Sequence, residues 1–385
     1  MKKNSIISIA VAGAAALVVA GATLTSGSSN EGELLGAPGV VASNFKTGSL
    51  TKDIAQEPCT LSNGTATTCF RIEVTGFPVD TTIGPFCPTT TSSTAADSGI
   101  WLDGSNVYDA DGKFILDLSK IYGDAKWKLY DDSGKVNVTD TKEAFQGAAR
   151  PDVAEAYKYH CVEGKYEWTQ TGKAVPISAL VPVTPVKAGS VTTTQGGDLG
   201  LTINGLVIAP SAPVDAILGA YTIAAFDDCG GHFNPGEGYH MHAYTNCEGA
   251  NYDSDIDDPN AETKLIGYAM DGVAVFAPLA HDTTIKLDEC NGRTTKADGY
   301  HYYAQSAEKN RIVKCFMGLT AVDSSKTAQN GPPGQMGPPG QGNSTGAPTQ
   351  LLWIIGGTAA LASGVLASIF AILLLRKRRV RRAQA

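Results

Sequence analysis

Two stretches decide how this chain is read: DDCGGHFNPGEGYHMHA at 227–243 and DECNGRTTKADGYHYYA at 288–304. They superpose without a gap at an offset of 61 residues. Cys229 falls on Cys290, Gly231 on Gly292, Gly238 on Gly299, Tyr239 on Tyr300, His240 on His301 and Ala243 on Ala304. So many identities at one fixed offset mark an internal duplication. Each copy runs from an acidic pair through a Cys and a Gly-containing turn into a segment where aromatic and His residues alternate. Alternation of that kind is the side-chain period of a strand. It puts His240 and His242 on one face, Tyr239 and Met241 on the other, and His301 and Tyr303 on the face equivalent to the histidines.

The flanking sequence continues the strand pattern. GLTINGLVI (200–208) carries an Asn204-Gly205 turn, AYTIAAF (220–226) is a short apolar run, and LIGYAMDGVAVFAP (265–278) folds back at Asp271-Gly272. An Asn-Gly or Asp-Gly pair between apolar runs is a strong hairpin signal. Between Cys59 and Pro185 short apolar runs are broken by Gly, Asp and Pro, with one helical stretch. It covers Thr141 to Ala149 and restarts from Pro151 to Tyr159. The predicted fold is mainly β, antiparallel and sandwich-like, with a few short helices. Hydrophobic residues make up 43% of the 385, enough for a sizeable core, and charged residues only 18%, too few for a coiled coil.

The two ends set the expected compartment. Residues 1–22 have Lys2 and Lys3 before an apolar run and a small-residue stretch, the pattern of a secretory signal peptide. Residues 23–44 read as a flexible lead, 45–190 as the N-terminal part of an ectodomain, and 191–320 as the duplicated domain. Residues 321–350 contain GPPGQMGPPGQG, a Gly/Pro-rich stalk of extended character. Residues 351–375 hold no charge and are long enough for one transmembrane helix, and the basic tail 376–385 follows at once. The expected protein is single-pass type I, in the plasma membrane or a secretory-pathway membrane, with the ectodomain outside or luminal. Setting aside the eight cations at the two ends, 22 basic residues face 38 acidic ones, a net −16. A body so acidic repels phosphate backbones and excludes nucleic acid as a partner.

Cysteine usage agrees with an oxidising compartment. Cys59, Cys69, Cys87, Cys161, Cys229, Cys247, Cys290 and Cys315 make an even set without a C-x-x-C pair. Two disulfides are expected within 59–161 and two within 229–315, the latter as Cys229–Cys247 and Cys290–Cys315. Asn63, Asn137 and Asn343 head glycosylation sequons.

The chemistry-bearing feature is the histidine cluster. An H-x-H pair on a strand with further imidazoles is an ordinary way to hold copper or zinc. The expected ligands are His232, His240, His242 and His301 around one ion, which requires the two repeat strands to lie side by side. Asp227, Asp228, Asp288 and Glu289 are candidate ligands or acceptors that orient the rings. His160 and His281 fall outside the repeat. Ligation needs neutral imidazoles, so uptake is expected to fall as the pH drops through ~6.5. No nucleophile elbow, H-E-x-x-H helix or phosphate loop accompanies the cluster. Three functions fit: a surface metal-binding module, a metal-dependent hydrolase or oxidase, and a structural or adhesive protein without a metal.

GYHMHA and GYHYYA with their DDCGGH and DECNGR lead-ins, LTINGLVIAP, and LIGYAMDGVAVFAP resemble the YHYH domain family of secreted and cell-surface proteins. The resemblance extends over about residues 175–316. It implies metal binding through histidines and carries no general activity. His232, His240, His242 and His301 fall on family histidines. Arg293 and Tyr303 depart from the pattern, so the resemblance implies one shared site at most.

Overall fold

The computed structural model describes residues 33–150, 152–169, 174–193, 197–235, 237–245, 264–280 and 283–323. The expected signal peptide, the first ten residues of the lead, nearly all of the stalk, the transmembrane span and the basic tail lie outside them. Among the described residues no helix is long and apolar enough to cross a membrane.

The first strands among the described residues form a hairpin of β1 (Ala55–Thr60) and β2 (Ala66–Val74), tied across by Cys59–Cys69. A second hairpin, β3 (Ile100–Leu102) and β4 (Val107–Asp109), leads into α1 (Gly112–Ile121). Asp111 caps that helix by accepting the Phe114 N–H at 2.7 Å, satisfying one of its orphan donors. Phe114, Ile115 and Leu118 share a helical face and pack with Trp101 and Trp127. The sequence reading missed this helix, although its cap and apolar spacing are both legible. The helix expected from Thr141 is α2 (Lys142–Ala148), capped by Thr141, and the continuation after Pro151 is only a 3-10 turn at Glu155–Tyr157. Then come β5 (Cys161–Val162), whose Cys161 bonds Cys87, β6 (Ile177–Pro182) and β7 (Lys187–Thr192). Strand β6 pairs with β2 to complete a three-stranded antiparallel sheet.

The second half adds β8 (Gly200–Thr202), β9 (Val207–Ile208), α3 (Val214–Gly219), β10 (Ile223–Ala224), β11 (Gly231–Asn234), β12 (Gly238–Met241), β13 (Leu265–Ala269), β14 (Ala274–Phe276), β15 (Gly292–Thr295), β16 (Gly299–Tyr303) and β17 (Phe316–Gly318). Eight of these strands form one sheet in the order β11-β12-β9-β8-β13-β14-β16-β15. That order is two copies of one four-strand unit, placed back to back. In each copy a tight hairpin (β8–β9 or β13–β14) lies parallel to the inner strand of a second hairpin (β12 or β16), and the outer strand (β11 or β15) is the sheet edge. The copies meet through the antiparallel β8–β13 pair. The duplication therefore spans the Asn204-Gly205 and Asp271-Gly272 hairpins as well as the histidine segments. Most pairings are antiparallel as expected, but β9–β12, β14–β16 and β5–β10 are parallel.

Both faces of the large sheet are covered, which explains its nearly continuous burial. On one face Ile72, Val74, Ala179 and Val181 of the three-stranded sheet meet Leu201, Val207, Tyr268, Phe276 and Tyr303, so the sandwich is real there. The other face gathers Ile208, Tyr239, Met241, Val275, Tyr300, Tyr302 and Phe316. Cys290–Cys315 tethers the segment entering β15 to the segment entering β17, as expected. Cys229 is also disulfide-bonded, and Cys247 lies outside the described residues.

Candidate metal centre

The local geometry of each copy follows from its repeated residues. Asp227 Oδ1 accepts the N–H groups of Cys229 and Gly231, and its Oδ2 takes the Tyr239 hydroxyl at 2.8 Å. Asp288 does the same with Cys290, Gly292 and the Tyr300 hydroxyl, the last at 2.7 Å. One carboxylate thus folds the turn and clamps the tyrosine across the hairpin. The glycine opposite is required by that ring: a Cβ on Gly231 would lie 2.4 Å from the Tyr239 hydroxyl, and one on Gly292 would lie 2.3 Å from that of Tyr300. Gly238 and Gly299 turn the chain with φ +78° and +62°, the left-handed region glycine occupies without strain. Of the four acids offered from sequence as ligands or ring-orienting acceptors, Asp227 and Asp288 thus serve the turn and the tyrosine of their own hairpins. Burial pushes the Asp227 carboxyl up, against the hydrogen bonds from Tyr239, Gly84, Gly231 and Cys229.

With Tyr239 and Met241 fixed on one face, His240 and His242 project from the other. In the β11–β12 register His232 lies directly opposite His240. The three Nε2 atoms converge: His232 Nε2 is 3.1 Å from His240 Nε2 and 3.1 Å from His242 Nε2. The rings meet edge to face with centroids 4.8–5.0 Å apart. Phe226 packs on His232 and His242 at 4.8 and 5.2 Å, an apolar wall that the sequence reading did not assign to the site. His240 and His242 are buried, and His232 is half-buried.

Protons alone do not satisfy this arrangement. His240 Nδ1 lies 3.1 Å from the Gly238 carbonyl, which assigns the ring proton there and leaves Nε2 as a lone pair. His232 Nε2 offers one proton or one lone pair, yet faces two nitrogens at hydrogen-bond distance. At least one of the contacts is therefore unmatched. A shared cation resolves it: tetrahedral zinc with Zn–N of ~2.0–2.1 Å sets its nitrogens ~3.3–3.4 Å apart. The donor set fits a metal ion, and the three histidines can hold one. Burial, with the neighbouring imidazoles adding to it, pushes His232 and His242 well below the ordinary histidine range, so both rings stay neutral. His242 Nδ1 is buried without a hydrogen bond of normal geometry, and the Pro210 carbonyl partly offsets the burial of that ring.

His301, expected as a fourth ligand, is not in this cluster. Four strands, β9, β8, β13 and β14, separate β12 from β16, so the two repeat strands are not neighbours. Duplication placed the copies at opposite ends of one sheet, and His301 is fully buried in the second copy beside Tyr303. His160 bonds the Lys158 carbonyl at 2.8 Å, in the segment before β5, and His281 lies outside the described residues. Of the sequon residues, Asn63 is exposed. Asn137 donates its amide to the Tyr159 carbonyl at 3.2 Å, and Asn343 lies outside the described residues.

The site and sheet define a class: a duplicated, disulfide-stapled β domain with a buried three-imidazole cluster in one copy. The family model described as YHYH protein matches residues 178–285 of the chain. The match holds the whole triad and ends before the second histidine segment. Comparison with curated proteins and with solved structures gave no match.

Proposed function

We propose that the protein is a membrane-anchored surface metal binder, in which His232, His240 and His242 hold one divalent transition ion. The observation that carries this reading is the meeting of three Nε2 atoms that protons cannot all satisfy. Copper and zinc are the ions proposed, since imidazole without thiolate suits both and Cu(II) leads where they compete. The fold keeps the His232 and His242 rings neutral and walls them with Phe226, so the chain itself supplies orientation and exclusion of water. The signal-like start, the charge-free stretch 351–375 and the basic tail support display on the outer or luminal side of a plasma or secretory-pathway membrane. A second reading, a metal-dependent hydrolase or oxidase, is favoured by the same count of three, which leaves a coordination position for an exogenous ligand.

The test is metal titration of the purified, disulfide-intact chain at neutral pH. One equivalent of copper or zinc is expected, lost in His232→Ala, His240→Ala and His242→Ala and kept in His160→Ala. Absence of stoichiometric uptake would leave a structural or adhesive surface protein with an imidazole packing motif. Exchange of small ligands at the loaded site would separate the enzyme reading from the binder.

A further inference from the structure

The second copy repeats the geometry of the metal centre with different chemistry. Arg293 occupies the position of His232, directly opposite His301 in the β15–β16 register, just as His232 lies opposite His240. Tyr303 takes the place of His242. The rings of His301 and Tyr303 meet at 5.1 Å and 75°, against 5.0 Å and 65° for His240 and His242. His301 Nδ1 lies 3.0 Å from the Gly299 carbonyl, as His240 Nδ1 does from that of Gly238, so its Nε2 is again a lone pair aimed inward.

Here that lone pair is matched. The Arg293 Nε–H donates to the Tyr303 hydroxyl oxygen at 2.7 Å, and the Tyr303 hydroxyl lies 3.1 Å from His301 Nε2, into which it donates. The guanidinium carbon also sits 5.3 Å from the centre of the Tyr303 ring. One cation, one hydroxyl and one imidazole form a chain in which every donor named meets an acceptor. Guanidinium keeps its charge at all physiological pH values.

We propose that the second copy is a metal site sealed by its own side chains, with the Arg293 guanidinium standing in for the ion that the first copy takes from solution. The proposal rests on the metal reading of the triad and adds two things to it. The chain takes a single metal ion although it carries two copies of the site. The hairpin β15–β16 has its cluster contacts matched without a metal, whereas β11–β12 keeps at least one imidazole contact unmatched until it is loaded.

Zn(II) and Cu(II) titrations of four full-length, disulfide-intact forms test this. The wild type is expected to take one equivalent, and Arg293→His with Tyr303→His two. On a background silenced by His232→Ala, His240→Ala and His242→Ala the chain takes none, and adding R293H and Y303H to that background restores one. Zero uptake in this last form, with circular dichroism and the Cys290–Cys315 bridge unchanged, overturns the proposal, as does a second equivalent in the wild type. Zero uptake in the wild type alone counts against the first site and leaves the sealed copy to be judged on the silenced background. Should R293H/Y303H not fold, the reciprocal exchange decides. H232R with H242Y is expected to give a folded, metal-free chain whose melting temperature no longer responds to zinc or chelator, and a chain that unfolds or still loads metal refutes the equivalence.

Discussion

Asp271 offers the sharpest quantitative test of the fold. It sits in the turn between β13 and β14, fully buried, and its Oδ2 accepts the Tyr302 hydroxyl at 2.7 Å and the Gly318 N–H at 3.0 Å. It thus pins β17 to the turn. Burial nevertheless raises its pKa from 3.8 to about 6, outweighing those hydrogen bonds. A carboxyl raised in the folded state binds its proton more tightly there than in the unfolded chain. Its contribution is therefore most favourable below pH 4 and is lost as the pH rises through 6. A shift of about two units at ~1.4 kcal/mol each makes the loss about 3 kcal/mol by pH 7. Asp271→Asn removes this titration, and the equivalent turn position in the first copy is already Asn204. The amide cannot accept from every donor that the carboxylate serves, which adds a pH-independent cost of about 1 kcal/mol. Urea unfolding of both disulfide-intact proteins from pH 4 to 7 measures the difference. Wild-type stability minus that of D271N is expected to fall by about 2.5 kcal/mol over this range, the rest of the loss lying below pH 4. A flat difference, or one that grows with pH, refutes the assignment of Asp271 as a buried charge held at a cost.

Three further outcomes are expected. Tyr239→Phe and Tyr300→Phe each remove a hydrogen bond to a carboxylate and should destabilise the chain by about 1.5–3 kcal/mol in equilibrium unfolding, to similar extents because the clamps are duplicated. Replacing Cys87 and Cys161 by Ala should cost more than replacing Cys59 and Cys69, about 4.5 against about 2.7 kcal/mol, since the bonds close 74 and 10 residues of sequence. Equal costs would show that chain entropy is not what these bonds supply. Because His232 and His242 are held below the ordinary histidine range, metal uptake should persist below pH 6.5, lower than the sequence alone implied. Half-loss at or above pH 6.5 in a pH-resolved zinc titration would contradict that.

The linear chain determined what depends on near neighbours. Asn204-Gly205 and Asp271-Gly272 specify tight hairpins because the turn chemistry is local, and both formed as read. The period-two pattern placed His240 and His242 on one face and Tyr239 and Met241 on the other. The repeat foretold that Cys290 and Cys229 would sit in equivalent turns, and it marked Gly231, Gly238, Tyr239 and their partners as one device. It did not say why. Only the folded hairpin shows Tyr239 lying over Gly231 and reaching Asp227. The short helix α1 was missed because its cap and apolar face sit in a stretch otherwise broken by Gly and Asp.

Strand order is where the sequence stopped. Hairpins register themselves, but which strand lies beside β12 is decided by the burial of whole faces between segments far apart in the chain. That choice put β9 next to β12 and β14 next to β16, in parallel. The two histidine segments ended at opposite ends of the sheet, and a four-histidine site became a triad in one copy and an Arg293–Tyr303–His301 chain in the other. A duplicated sequence fixes the unit and its internal contacts. The tertiary structure alone fixes whether the units converge, because a sheet joins two copies through whichever edges leave their remaining faces covered.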